Sequence, residues 1–318
     1  MAIPAPLLRG LRVPVLASPM FLVSGPELVI ASCTAGILGS FPALNHRTSE
    51  GFDGWLTQIG DALSAHDASH PEAPSCAFGV NLIVHRTNPR LEADLAVCAQ
   101  HRVPFVITSL GAVRELVDTV HGWGGLVFHD VTTVRHAKKA AAAGVDGLIL
   151  VCAGAGGHAG TTSPFALLPE IRSFFSGTIL LAGSLSDGRS VAAARMLGAD
   201  LAYLGTRFIA TEEANAPDAY KQMLLASAAA DILYTDAISG IAANFLEPSL
   251  RQAGLDPAHL PTKHEIDLGT ELDTESKAWK DIWSAGQGVG TIHDIPTTRA
   301  LVDRLVAEYR EACETFRP

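Results

Sequence analysis

The sequence predicts an α/β chain: a (β/α)8 barrel whose mouth carries a mostly helical insertion. Three observations point there. Eight short apolar runs, each rich in strand-forming residues, alternate with helical stretches through about residue 212. The runs are apolar throughout, as parallel strands buried on both faces are, and do not alternate with polar residues. After Thr211 the strand series stops, and helical stretches and loops continue to about Ile282.

The first strand is expected over Val13 to Ser18, limited by Pro19, which cannot donate to a ladder. Gly25-Pro26-Glu27 then opens a helix through Cys33, and Gly36 to Phe41 gives the second strand. From Asn45 to Ala73 the chain is more polar, with Trp55, Leu56 and Ile59 at helical spacing. Strands three to six are read at Phe78–Leu82, Val103–Thr108, Leu126–Phe128 and Gly147–Val151. Helices are read between them at Leu91–His101, Val113–Val120 and Thr132–Ala143. A helix over Phe165–Phe174 leads to strand seven, Thr178–Leu181. Asp187 starts a helix that Gly198 ends, and Leu201–Leu204 is strand eight. The repetition implies right-handed crossovers. Leu301 to Phe316 forms a closing helix that returns to the barrel. The expected division is a barrel over 1–212, an insertion over 213–287 punctuated by Pro217 and the polar stretch Pro261 to Asp273, and a C-terminal segment over 288–318.

A chain of 318 residues, 48% hydrophobic and 18% charged, fills a large core and argues against bulk disorder. A net charge of −10 disfavours nucleic acid and anionic membrane surfaces as partners. Five cysteines without a C-x-x-C pair suggest neither a disulfide framework nor a zinc site. The N-terminus lacks a basic segment followed by an apolar one, and no apolar run is long enough to cross a bilayer. The expectation is a cytoplasmic enzyme acting on a small molecule, with homodimer formation through the apolar insertion as the expected self-association.

The chemistry concentrates after strand six, where Gly154-Ala155-Gly156-Gly157-His158-Ala159-Gly160 places one histidine in a loop nearly free of side chains. In a barrel that end of the strands is where active sites lie. The glycine spacing does not fit a dinucleotide fingerprint, and no second histidine or carboxylate sits at metal-ligand spacing. Gly183-Ser184 and Gly205-Thr206 end strands seven and eight, the place where barrels hold phosphate on backbone amides. Each pair alone is equally a tight turn.

Taken with Ala17-Ser18-Pro19-Met20, Phe78-Gly79-Val80-Asn81, Ala182-Gly183, Leu204-Gly205-Thr206-Arg207-Phe208 and Trp283-Ser284-Ala285-Gly286-Gln287, the Gly156-Gly157-His158-x-Gly160 motif resembles the nitronate monooxygenases. The resemblance implies a TIM barrel binding FMN at its C-terminal mouth and using O2. It implies that Ser18, Met20, Asn81 and Ala182 lie along the flavin. Gly183, Ser184, Gly205 and Thr206 would hold the phosphate. Gly156, Gly157, Ser284, Gly286 and Gln287 would close over the cofactor, with His158 as base or substrate-orienting residue. On residue type alone, Asn81 is equally a turn residue, Met20 core filler, and Ser284 to Gln287 a helix cap. Arg207 reads as a structural ion-pair partner, and Tyr234, Asn244 and Phe245 as pocket-shaping residues of the insertion.

Two positions depart from the pattern. Gly154 stands where many relatives carry an acid, and His129-Asp130 where many carry a base at the end of strand five. Asp130 is expected to pair with Arg135 or to accept from the ribityl hydroxyls of the flavin that the resemblance implies. Two other functions share these motifs: an FMN-dependent NAD(P)H reductase of an enoyl thioester or quinone, and a flavin-free phosphate-binding barrel.

Overall fold

The computed structural model describes residues 3–111, 113–238, 240–260 and 282–316. Eight parallel strands form the sheet: β1 Val15–Ala17, β2 Gly39–Pro42, β3 Phe78–Ile83, β4 Phe105–Ser109, β5 Leu126–Val131, β6 Gly147–Val151, β7 Thr178–Ala182 and β8 Leu201–Leu204. Their order is β1-β8-β7-β6-β5-β4-β3-β2. The sheet closes on itself through a parallel bridge between Leu16 and Leu38. There Leu38 donates to the Val15 carbonyl (3.1 Å) and Ala17 donates to the Leu38 carbonyl (2.9 Å). Phe41, Phe105, Phe128, Ile149 and Leu180 are fully buried, so the barrel is a packed core and not a pore.

Local signals set the surrounding helices. Pro26 stands in the first turn of the helix Pro26–Ala35, which ends at Gly36 in the left-handed region (φ +101°). Asp187 and Ser190 form a reciprocal capping box at the start of Gly188–Leu197, and Gly198 (φ +110°) ends it. The closing helix is Thr298–Thr315, three residues earlier than the periodicity indicates, because Thr297 caps it. It packs on the first helix and on Gly188–Leu197, sealing the barrel's flank.

Two strand readings shift. β2 starts at Gly39, since Gly36 to Leu38 complete the preceding helix cap and the closing bridge. β5 runs to Val131, which brings His129 and Asp130 into the ladder. The polar stretch after Asn45 is a helix only over Ser49–Ser69, capped by Thr48.

The region after Thr211 differs more. Helices Asp218–Ala226 and Glu247–Gln252 are present, but between them β9 Ile232–Thr235 and β10 Ala243–Leu246 form an antiparallel hairpin. β10 also pairs antiparallel with Gly157–His158, giving a three-stranded sheet. The hairpin escapes a reading by local period because its third partner lies about 85 positions upstream. The segment Pro261 to Asp273 lies outside the described residues. Among the described residues no helix is long and apolar enough to cross a membrane.

Candidate active site

The C-terminal strand ends surround a cavity of about 680 Å³, within the size range of small-molecule and cofactor sites. Three of its lining residues, Leu22, Leu110 and Ser184, hold positive φ without being glycine. Such strain gathers where a site fixes the backbone.

One corner, at β7 and β8, is built of backbone. Gly183 has φ +132°, and a Cβ there would lie 2.9 Å from the Ala153 carbonyl oxygen, so only glycine fits. Ser184 follows at φ +57°. The amides of Gly183, Ser184 and Gly205 donate to no protein acceptor among the described residues. The Thr206 hydroxyl accepts from the Gly286 amide (2.9 Å), which leaves its own hydrogen to donate. No lysine or arginine lines the cavity among the described residues, so an anion here is met by oriented amides. Ser18 and Met20 line the same corner from the loop after β1. Asn45 ties that loop down, donating to the Met20 carbonyl (2.9 Å) and the Ser24 carbonyl (2.7 Å).

The facing wall, at β3 to β5, is built of side chains. Asn81 Nδ2 donates to the Ile107 carbonyl (3.2 Å) and to Ser109 Oγ (2.8 Å). Ser109 Oγ in turn donates to Asp130 Oδ2 (2.6 Å). Asp130 therefore pairs with Ser109 and not with Arg135, which is exposed on the helix Val134–Ala143. Its Oδ1 is buried and has no hydrogen-bond partner among the described residues. Burial pushes the Asp130 carboxyl up to about 6, with the Ser109 hydrogen bond opposing. Behind the wall, His129 faces away from the cavity, bonded to Thr108 Oγ1 (2.7 Å), and burial lowers its pKa to about 4.

The histidine loop is a third part. Gly157 and His158 pair with Asn244 and Ala243 of β10. Asn244 Nδ2 donates to the Ala155 carbonyl (2.6 Å), and Tyr234 Oη donates to the Ala159 carbonyl (3.0 Å). Strand addition thus sets the direction of His158, whose exposed ring lines the cavity. The cavity walls around the accessible ring partly desolvate it and hold the imidazole below the ordinary histidine pKa. Gly154 holds φ +80°, where any other residue is strained, and a Cβ there would displace the Ser184 hydroxyl, 2.2 Å away.

Of the residues singled out from the sequence, the structure brings Ser18, Met20, Asn81, Ala182, Gly183 and Ser184 to the cavity wall. Gly156, Gly157, His158, Gly205, Thr206, Ser284 and Gly286 join them there. Gln287 does not line it: its amide donates to the Gly154 carbonyl (2.9 Å) and its side chain is exposed. Tyr234, Asn244 and Phe245 do not line it either. The first two brace the histidine loop, and Phe245 is fully buried beside Ile238, Leu250 and Ile282. Arg207 is buried and bonds the carbonyl and carboxylate of Asp294, as a structural ion pair. Ser109, Tyr203 and Tyr220 are lining residues that the sequence reading missed, and Trp283, part of the quoted motif, lines the cavity without having been assigned a role. For Ser109 and Tyr203 a signal existed, since both stand at or beside the C-terminal end of a barrel strand. Tyr220 and Trp283 stack (4.9 Å between centroids), and Tyr220 Oη donates to the Ser284 carbonyl. Ser284 Oγ is buried with no partner among the described residues.

Comparison with known proteins agrees with this geometry. The family model described as nitronate monooxygenase matches residues 67–308. The chain belongs to the nitronate monooxygenase family. It is accordingly an oxidoreductase. A nitronate monooxygenase from Paraburkholderia phytofirmans is 28% identical, covering 98% of this chain and 96% of its own length. A (3aS,4S,5R,7aS)-5-hydroxy-7a-methyl-1-oxo-octahydro-1H-indene-4-carboxyl-CoA dehydrogenase from Rhodococcus jostii is 27% identical, covering 95% of this chain and 94% of its own length. Among solved structures, a nitroalkane oxidase from Streptomyces ansochromogenes superposes with TM-score 0.80 at 25% identity, covering 96% of this chain and 98% of that chain. FabK from Thermotoga maritima, with TM-score 0.77 and 23% identity over 98% of this chain and 96% of its own, shares the fold.

Proposed function

We propose that this family member is an FMN-dependent monooxygenase that oxidises small nitronates or nitroalkanes with O2. The observation that carries the reading is His158, a histidine biased toward its neutral form, facing a cavity whose backbone corner offers unpaired amides. FMN fits the residues present. Its phosphate matches the amides of Gly183, Ser184 and Gly205, and its polar ring edge matches the side-chain amide of Asn81. When bound, FMN supplies the electron transfer and the oxygen chemistry.

The chain's own residues supply position and one proton transfer. Met20, Tyr220 and Trp283 give apolar walls that exclude water from the reacting centre. Neutral His158 accepts the α-proton of a nitroalkane, and the resulting imidazolium then pairs with the nitronate anion. Because burial lowers its pKa, the base stays competent below the pH at which a free histidine protonates, and activity falls only as pH drops through that lowered value.

The purified protein is expected to be yellow and to consume oxygen with propionate 3-nitronate or 2-nitropropane. Absence of turnover across a panel of nitronates rejects the substrate class. Colourless protein that takes up no FMN rejects the cofactor. A second reading, oxidoreduction of an acyl thioester, gains support from the exposed apolar lip formed by Phe21, Leu22 and Leu110 and from the similarity to a CoA-ester dehydrogenase. Rapid anaerobic bleaching of the flavin by NADH, without nitronate turnover, would select it.

A further inference from the structure

One side of the cavity rim takes no part in the proton transfer above. Around the closed sheet, the histidine loop and the backbone corner occupy the arc from β6 to β8, and the arc from β1 to β4 lies opposite. Every strand of that second arc puts an apolar side chain on the cavity: Leu22 after β1, Leu44 after β2, Ile83 at the end of β3 and Leu110 after β4. Ile83 stands two residues beyond Asn81, and Leu110 one beyond Ser109. The wall thus turns from polar to apolar toward its outer edge.

Two of these residues are held at a cost. Leu22 has φ +61° and Leu110 φ +67°, the left-handed region in which a Cβ crowds the following carbonyl. Glycine takes that conformation freely, and asparagine takes it with little penalty. Packing does not recover the cost, since Leu22 is 42% and Leu110 44% exposed. The fold nevertheless pins both loops. The Leu22 amide donates to Asn45 Oδ1 (2.9 Å), and its carbonyl accepts from Asn215 Nδ2 (3.1 Å). At the other loop the Ser109 carbonyl accepts from the Val84 amide (2.9 Å), and a Cβ on Gly111 would lie 2.8 Å from the Val84 carbonyl oxygen. The same arrangement occurs twice at the mouth of one cavity: a strained backbone under an exposed leucine. Strain of this kind persists where the side chain it presents serves a ligand.

We propose that Leu22 and Leu110 are specificity residues that bind an apolar tail of the substrate, so that the preferred substrate is a nitronate or nitroalkane carrying a chain of several carbons. The proposal rests on the nitronate reading above and names the substrate within it. Its physical basis is burial: with the reacting head at His158, each methylene that leaves water against the rim adds affinity.

The test uses saturated carboxylates from propanoate to octanoate as unreactive mimics, because a carboxylate has the planar, singly charged head of a nitronate. Binding to the FMN-loaded protein is measured by titration calorimetry. Wild-type affinity is expected to rise about 2- to 4-fold per added methylene. In the double variant Leu22→Asn/Leu110→Asn, octanoate should lose about 10-fold in affinity and propanoate less than about 2-fold. Leu22→Met/Leu110→Met keeps the apolar reach and should keep most of the rise. The melting temperature of the flavin-free asparagine variant should equal or exceed that of wild type, because asparagine relieves the left-handed backbone. Leucines present for packing would lower it instead. A wild-type affinity that ignores chain length, a propanoate loss as large as the octanoate loss, or a melting temperature lowered by the asparagines overturns the proposal. Oxygen consumption with nitroethane through nitrooctane separates it from the reading beneath. Turnover whose kcat/KM ignores chain length overturns the role of the rim and leaves the nitronate reading standing. Chain-dependent binding without turnover of any nitroalkane overturns the nitronate reading and leaves the rim as the site of another substrate's apolar tail.

Discussion

The two walls of the cavity solve opposite problems with opposite materials. At β7 and β8 the ligand-facing groups are backbone amides, and the sequence contributes mainly by omission, with glycine at 183 where any Cβ would strike the Ala153 carbonyl. At β3 to β5 the ligand-facing groups are side chains linked Asn81 to Ser109 to Asp130. A backbone wall suits a ligand group whose charge is fixed and needs only oriented dipoles. A side-chain wall can change its protonation with its surroundings, as a carboxyl pushed up to about 6 shows. The chain has a net charge of −10 and no lysine or arginine in the described cavity lining, so the backbone wall is its available answer to an anion.

The contrast can be broken most sharply at Gly183. Gly183→Val is expected to abolish FMN uptake, a loss of more than about 100-fold in affinity, because a β-branched residue must adopt φ +132° against a fixed carbonyl. Ser184→Ala, which deletes a side chain from the same corner, should weaken uptake only several-fold by titration calorimetry. Equal losses in the two variants would show that the corner works through side chains after all.

His158 belongs to neither wall, and His158→Ala should lower turnover of a nitroalkane by about 10²- to 10⁴-fold while leaving FMN binding intact. Turnover of a preformed nitronate, which needs no α-proton removed, should fall less. Steady-state oxygen consumption with both substrates separates the two roles.

The side-chain wall also has a rear face, where His129 is buried against Thr108. With a folded-state pKa of about 4 against an ordinary 6.5, His129 is neutral in the folded protein while the unfolded chain takes up a proton. Stability is therefore lost as pH falls from about 6.5 to 4, by up to roughly 3 kcal/mol. Urea denaturation at pH 7 and pH 4.5 should show this loss, and His129→Gln should reduce it.

Asn244→Ala removes the brace on the histidine loop and leaves the Ala155 carbonyl without that donor. About 1–3 kcal/mol of stability should be lost, with a fall in kcat larger than any change in FMN affinity. The smallest effect is expected at Ser284. Its Oγ has no partner among the described residues, so Ser284→Ala should leave the melting temperature of the flavin-free protein within about 1 °C and weaken FMN binding a few-fold.

Much of this architecture was legible. The eight apolar runs gave the barrel because parallel strands bury both faces, and each run reappears within a few residues. Gly183-Ser184, Gly205-Thr206 and the His158 loop were legible because, taken together, they fall at the ends of successive barrel strands, where barrels bind ligands. Three things were not. The β9–β10 hairpin pairs with a two-residue strand far upstream, which no local period reports. Tyr234 and Asn244 read as pocket residues by type, yet their polar ends point to carbonyls of the histidine loop. Asp130 was expected to find Arg135 or a ribityl hydroxyl, and it finds Ser109, because the helix carries Arg135 outward while the strand register sets Ser109 beside the carboxyl.

What the sequence settled alone was the class of fold and the positions where the backbone must approach a ligand, because hydrophobic period and glycine placement are local properties. What only the tertiary structure decided was which polar groups meet. Hydrogen bonds such as Ser109 to Asp130, and burial such as that around His158, depend on register between strands that the chain brings together from afar. A carboxyl's proton or an imidazole's neutrality is a property of that assembled surrounding, not of the residue.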